Sequence, residues 1–391
     1  MTTSRREFLG TGVAAGAAMA VLGRSGALLA AGRQPFASAQ PGRAPGPLNI
    51  LILGGTSMLG PHIVAYAMGR GHALTTFTRG RTKPTVHQDL FDQVEMLVGN
   101  RDDDLEALKG RSWDAVIDNS GYRVKWATDA AELLRDAADL YLYTSSIGVY
   151  YPYTRDVLLE DDELNTEVPP EDTLSEVQKL EYGYAVMKTL SEREIVRIFG
   201  ADRTILSRPT YMVGPGDRTD RFTYWPVRVP RGGEVMIPGK ADDLVQFIDA
   251  RDVAAFMVRL VEERNVGAFN VAGPASPMGM HAFVHGVHAA FSNPVSFVPI
   301  PDYDFLIEHE ITEVTPWVLP IDDNYGTSRA SVDKAVANGL TFMPLAETVR
   351  DTYEWWNSGV VSEERQVRMV SGEDSLMARE AEIIAAWRAR G

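Results

Sequence analysis

Residues 49–71 constrain the architecture of this chain more than any other stretch. Asn49-Ile50-Leu51-Ile52-Leu53 is a short apolar run rich in β-formers, bounded by Pro47 and Gly54, and it reads as a buried parallel strand. Gly54-Gly55-Thr56-Ser57-Met58-Leu59-Gly60 follows, and then Ile63, Val64, Tyr66, Ala67 and Met68 recur at helical spacing up to the stop Gly69-Arg70-Gly71. A strand feeding a glycine-rich turn and then a helix gathers backbone N–H groups and the positive end of the helix dipole at one spot, where a pyrophosphate is stabilised. Gly54 allows the tight turn and Gly60 lets the helix approach the strand. The extended form of this pattern carries a third glycine where Ser57 stands; a serine there offers a hydroxyl to a phosphate oxygen but not every glycine conformation.

The pattern then alternates. Ala73–Thr78 reads as the next strand, and 94–98, 115–118, 141–144, 204–207, 245–248 and 268–271 as further ones. Helical patterns at 103–108, 126–138, 181–198 and 251–263 fall between most of them. This predicts an α/β fold, a Rossmann-type doubly wound parallel sheet. From Tyr211 the pattern loosens, with Pro, Gly, Trp and Arg crowding 214–240; helices are expected at 280–291 and Leu345–Trp356. These pieces predict a smaller C-terminal substrate lobe over the strand ends. The expected division is 48–273 for the nucleotide-binding domain (211–240 contributing to the lobe), 274–360 for the lobe, and 361–391 for a polar helical tail with Trp387 as a docking point.

The first forty-seven residues read as an address. Ser4-Arg5-Arg6-Glu7-Phe8-Leu9-Gly10 precedes a Gly/Ala-rich apolar run, and Ala37-Ser38-Ala39 or Ala30-Ala31 fits a cut site. The paired arginines resemble a twin-arginine signal, which implies the twin-arginine export machinery as a partner and a periplasmic or extracellular destination. The apolar run of about 13 residues is shorter than the roughly 20 a stable membrane span needs. Such export moves folded proteins, so a nicotinamide cofactor would be loaded beforehand and held tightly; this favours chemistry that returns the cofactor to its starting state. The chain has no Cys, which excludes thiolate catalysis, disulfides and Cys-ligated metal. Its formal net charge is −15; residues 1–39 carry Arg5, Arg6, Arg24 and Arg33 against Glu7, so the remainder carries −18. A body that acidic repels phosphate backbones, and no nucleic-acid partner is expected.

Three further features carry chemistry. The ribose-binding acid expected about 20 residues past the glycines is missing, since Gly60 leads to Thr78, Arg79, Gly80 and Arg81. Arg79 or Arg81 suits a 2′-phosphate, which tips the cofactor slightly toward NADP over NAD; the bland alternative is solvated loop arginines. Tyr184 and Lys188 are four apart on a predicted helix and share a face, so the ammonium is expected to lower the phenol's pKa and let Tyr184 act as acid or base. Tyr182 is the weaker alternative, because its fourth neighbour is Val186. Thr144-Ser145-Ser146 ends the fifth strand, at the edge where substrates of parallel sheets sit; an ordinary strand-end turn is the alternative.

Together, Gly54-Gly55-Thr56 with Gly60, the run Tyr143 to Ser146, the pair Tyr184 and Lys188, and Arg208-Pro209-Thr210-Tyr211 with Gly214-Pro215-Gly216 resemble the extended short-chain dehydrogenase/reductase family of NAD-dependent epimerases and dehydratases. The segments 247–254 and 269–273 resemble its later parts. The resemblance implies a catalytic set of Ser146 (or Ser145), Tyr184 and Lys188. It implies a cofactor site formed by the loop Gly54 to Gly60 with Thr78 and Arg79, by Asn119-Ser120-Gly121 and Pro209, and by Asn100 or Arg101 facing the adenine. Where sugar-nucleotide 4,6-dehydratases carry Asp-Glu after the catalytic hydroxyl, this chain has Ile147-Gly148, which disfavours water loss by that route. The expected activity is an NAD(P)-dependent, epimerase-like reaction on a small-molecule sugar or polyol derivative. A net dehydrogenase or reductase is the alternative, and a homodimer is a candidate assembly. Some relatives with a similar Gly-Gly-Thr loop bind RNA; the acidic body and the Tyr/Lys pair argue against that reading.

Other clusters tempt. His281, His285 and His288 share a helix face at zinc-like spacing, but no carboxylate within that helix completes a site, and no metal is expected. The acid runs 102–104 and 160–163 read as solvated turns. Trp355-Trp356 reads as lobe core or as a sugar platform.

Overall fold

A computed structural model describes residues 44–390. Seven strands form one parallel sheet: β1 (Asn49–Leu53), β2 (Ala73–Thr78), β3 (Glu95–Val98), β4 (Trp113–Asp118), β5 (Ala138–Thr144), β6 (Thr204–Pro209) and β7 (Gly267–Val271), in the order β7-β6-β5-β4-β1-β2-β3. The expected Rossmann-type doubly wound sheet is therefore the fold observed. Ile50, Leu51, Ile52 and Leu53 are fully buried because helices cover both faces. Helices α1 (Leu59–Arg70) and α4 (Ala250–Glu263) pack on one face, and α2 (Val124–Leu134) and α3 (Glu176–Phe199) on the other.

Local chemistry sets the helix ends. Gly71 closes α1 in the left-handed conformation, its N–H reaching Ala67 and Met68 carbonyls. Ser175 and Gln178 form a reciprocal capping box at the start of α3. Asp249 caps α4 by accepting from the Arg251 N–H at 2.9 Å.

A second core lies beyond the sheet. It gathers Val213, Phe222 and Trp225 with Phe283, Trp317 and the tail residues Ile383 and Ile384 around a parallel pair, Gly233–Pro238 and Val295–Ile300. The tail forms two helices, Glu363–Ser371 and Leu376–Arg390. It is fastened by a buried ion pair between Glu380 and Arg228, and Trp387 docks on Phe305 with ring centroids 5.1 Å apart.

Four expected elements differ, the first being the helix expected over 280–291, which runs Met280–His288 and stops at the Ala289 cap. Residues 103–108 make only a short turn at Glu106–Leu108, because Asp104 Oδ1 accepts from the Glu106 N–H and Asn100 Oδ1 from the Asp102 N–H, bonds that compete with a helix. The helix expected over 126–138 ends at Leu134, and Ala138 already begins β5. The strand expected at 245–248 is split outside the main sheet: Leu244–Val245 pairs with Met278–Gly279, and Ile248–Asp249 with Met212–Val213. The signal expected in 1–47 lies outside the described residues except for 44–47. Among the described residues no helix is long and apolar enough to cross a membrane.

Candidate active site

The carboxyl ends of the strands open into a groove of about 990 Å³. It lies where the strand order reverses between β1 and β4, the usual ligand crevice of such sheets.

The glycine loop forms its floor. Gly54 has φ +85°, and a Cβ there would come within 2.7 Å of Ser120 Cβ. A Cβ on Gly60 would lie 2.4 Å from the Gly55 carbonyl carbon, so helix and loop touch backbone to backbone. Ser57 needs no glycine conformation, because the positive φ after Gly54 falls on Met58, at 35°. Met58 provides no side-chain cap and the first turn of α1 holds no acid, so no negative side chain competes for the positive end of the helix; the Gly60 N–H meets the Ser57 carbonyl at 3.0 Å and Pro61 has none. Thr56, Ser57, Met58 and Leu59 line the groove; Gly55 sits behind them.

At the end of β2, Thr78 Oγ1 accepts from the Gly80 N–H at 3.0 Å, and Arg79 and Arg81 line the groove exposed. Arg101, expected near the adenine, is buried in a bidentate pair with Asp118 at 2.7 and 2.9 Å. It also donates to Ser120 Oγ at 2.9 Å. Burial alone would raise the Asp118 carboxyl; the Arg101 charge and hydrogen bonds from Arg101 and Tyr141 outweigh it and hold it below the usual range. Asn100 lines the groove too, with its amide donating to Asp103 Oδ1 at 2.8 Å. Asn119 and Ser120 line it beside them, while Gly121 packs against the Tyr143 ring.

The catalytic candidates meet over β5. Ser146 Oγ accepts from the Gly148 N–H at 3.0 Å, and the Tyr184 ring and Ser146 Oγ lie side by side over Gly148. Ser145 differs: its Oγ is buried without a hydrogen-bond partner. Tyr184 is 38% exposed by surface yet walled by the groove, and that desolvation raises its phenol, with the nearby Ser146 hydroxyl as the largest opposing effect. This corrects the expected role of Lys188. Its Nζ donates to the carbonyls of Thr144 (2.9 Å) and Gly121 (3.4 Å) and to Tyr143 Oη (3.3 Å), and makes no hydrogen bond to the Tyr184 phenol. Burial lowers the Lys188 ammonium to about 8, against the pull of Asp118 and Glu192. The weaker alternative, Tyr182, packs edge-on against Tyr151.

The groove also holds residues the sequence did not single out. Glu181 lies one turn before Tyr184 on α3, facing Tyr211, Arg221 and Glu313. Arg221 stacks over Tyr211 at 5.0 Å and stands 3.6 Å from Glu313. Burial, and then Glu313, raise the Glu181 carboxyl. The i, i+3 spacing to Tyr184 was a signal for Glu181; Glu313 has none, since folding of the lobe brings it in.

The histidine stripe and the Trp355-Trp356 pair lie outside the groove lining. Among the described residues no group of His, Asp or Glu is placed to hold a metal. His285 and His288 pack on Phe297, and Trp355 and Trp356 are buried. Asp102 accepts from Arg123 and Trp126, and Glu160 Oε1 from the Asn270 N–H.

Four buried polar atoms of groove-lining residues lack partners: Arg101 Nε, Asn119 Nδ2, Ser145 Oγ and Thr210 Oγ1. With the glycine floor and the acid-free start of α1, they fit a polar, phosphate-bearing ligand such as a dinucleotide. Pro209 lines the same wall.

Comparison with known proteins agrees with this architecture. The profile of the NAD dependent epimerase/dehydratase family matches residues 50–272. Chloroplast stem-loop binding protein of 41 kDa b from Arabidopsis thaliana is 24% identical over 240 residues; the match spans 58% of this chain and 58% of that protein's length. Among solved structures, the enzyme WbmH of Bordetella bronchiseptica, in complex with NAD+, is similar with a TM-score of 0.58 at 15% identity, covering 81% of this chain and 100% of that one. UDP-glucose 4-epimerase from Bifidobacterium longum, in complex with NAD+ and UDP, gives 0.57 at 14% identity, covering 80% and 98%. At these identities the structural likeness concerns the fold.

Proposed function

The chain belongs to the NAD dependent epimerase/dehydratase family, and on that premise we propose that it is an NAD(P)-dependent, epimerase-like oxidoreductase acting on a hydroxyl or carbonyl of a sugar or polyol derivative, with Tyr184 as its acid/base. The observation that carries this is the placement of Ser146 and Tyr184 side by side over Gly148, on the wall of a groove whose floor is the glycine loop. The solved relatives named above, one with NAD+ and one with NAD+ and UDP, support the cofactor class.

The loop from Gly54 to Gly60 and the α1 N-terminus hold the pyrophosphate, and Asn119, Ser120 and Pro209 line the cofactor's path. Thr78 and Arg79 meet the adenosine ribose, where Arg79 and Arg81 favour a 2′-phosphate and hence NADP. When bound, a nicotinamide supplies the hydride acceptor and donor, and in its oxidised form a positive charge that favours the phenolate. Ser146 and Tyr184 hold the reacting oxygen between them. Tyr184 Oη takes the hydroxyl proton in the oxidising half and returns it in the reducing half. Its raised pKa makes the neutral phenol the resting form, ready to donate to a carbonyl. Lys188 lies beneath, its ammonium set by the Thr144 and Gly121 carbonyls and able to turn toward a ribose hydroxyl. Loading of the cofactor before twin-arginine export through residues 1–47 favours the redox-neutral cycle.

Tyr184→Phe tests the assignment: it abolishes turnover by about 100-fold or more while leaving cofactor affinity intact. The name of the Arabidopsis relative favours a second reading, binding of an RNA stem-loop. The body charge of −18 opposes it. A Tyr184→Phe protein with unchanged activity that binds stem-loop RNA at physiological salt would support that second reading.

A further inference from the structure

The groove runs over the ends of β2, β3 and β4, and its aromatic lining there is Phe77, Tyr122 and Trp126; the Tyr122 ring lies toward the catalytic side, 5.4 Å from Lys188 Nζ. Phe77 lies buried under Gly99, where a Cβ would come within 2.5 Å of its ring. Trp126, in the first turn of α2, is half-buried and lines the groove. Its ring is fixed from several sides. The indole N–H donates to Asp102 Oδ1 at 2.6 Å, and the backbone carbonyl accepts from Arg101 at 2.6 Å. The Arg123 guanidinium stacks on the ring at 5.2 Å and is itself paired with Asp102 at 3.1 Å. The acid run after β3 thus has a purpose: Asp102 clamps both the indole and the arginine on it.

We infer that Trp126 is the platform on which the adenine of the dinucleotide stacks, with Arg123 on the opposite face of the indole. This rests on the dinucleotide reading of the groove. A purine presents a flat π-face of fixed size, and an indole held at its edge and backed on one face has already lost the freedom that stacking would otherwise cost. The Arg123 cation fixes the ring without occupying the groove. Asp102 is a positioning residue, acting on the adenine through the indole N–H.

The test uses the full chain, freed of resident nucleotide, and calorimetric titration with ADP-ribose and with nicotinamide mononucleotide. Trp126→Ala weakens ADP-ribose about tenfold or more and leaves nicotinamide mononucleotide unchanged, while Trp126→Phe keeps most of the ADP-ribose affinity. Asp102→Asn falls between the two. Thermal melting of each variant reports any loss of packing separately. An unchanged ADP-ribose affinity in Trp126→Ala overturns the assignment, as does an equal loss with both fragments. Wild-type protein that binds NAD+ or NADP+ while Trp126→Ala binds them equally well sinks this inference alone; wild-type protein that binds neither sinks the dinucleotide reading with it.

Discussion

Gly148 lies directly under the Tyr184 ring: a Cβ at that position would come within 2.8 Å of Tyr184 Cε1 and 3.2 Å of Ser146 Oγ. The glycine that removes the dehydratase carboxylate also makes room for the phenol to reach Ser146. Gly148→Ala therefore pushes the ring away from its place beside Ser146. Turnover falls about 100-fold, the usual consequence of an ångström-scale misplacement, with cofactor affinity unchanged. Steady-state kinetics beside a cofactor titration check it; loss of both together would mean the loop itself had collapsed.

Lys188 gives a pH prediction. Its ammonium is lowered from the ordinary 10.5 to about 8, with burial as the leading cause. Below pH 8 the native protein holds a buried cation at a cost of roughly 3 kcal/mol, and that cost is relieved as pH rises from about 8 toward 10.5. Carbon NMR of labelled lysine should show one resonance titrating near 8, absent in Lys188→Met. A Lys188 resonance titrating with the surface lysines would refute the placement.

Much of the nucleotide half was legible because its rules are local. An apolar run at 49–53 followed by glycines and a helical stripe leaves few alternatives, and the strand it predicts is the one observed. The pair Tyr184 and Lys188 was visible from spacing, but the electrostatics between them was not. Spacing places two side chains on one face; it does not reveal that the Thr144 and Gly121 carbonyls engage the ammonium while the phenol ring lies beside Ser146 over Gly148. The substrate side was least legible. Glu313 and Arg221 are 92 residues apart in sequence and meet only because the lobe folds back, a long-range event no local period records. The segment 245–248 misled because a short β-branched run reads alike in a main sheet and in two small ladders.

Asp252 gives a stability prediction. Burial, and then the neighbouring Asp249 charge, raise its carboxyl from the ordinary 3.8 to about 7, although Oδ2 accepts from the Met343 N–H at 2.6 Å. A raised carboxyl costs stability progressively as pH climbs from about 4 to 7, and the full cost persists above that. Asp252→Asn keeps the acceptor and removes the charge. It should melt higher than wild type at pH 8, by on the order of 2 kcal/mol in stability, and show no gain at pH 4. Calorimetric melting at the two pH values decides; a gain of equal size at both would point to packing instead of charge.

The central claim is that the groove over β1 and β4 binds a nicotinamide dinucleotide on the Gly54–Gly60 loop. Native mass spectrometry of the purified protein, before and after incubation with NAD+ and NADP+, tests it most directly, with Gly60→Ala alongside because its Cβ would strike the Gly55 backbone. One dinucleotide per chain is expected in the wild type, retained or readily taken up, and none in a folded Gly60→Ala protein. A wild-type chain that stays free of both nucleotides, or a Gly60→Ala chain that binds them equally well, would contradict it.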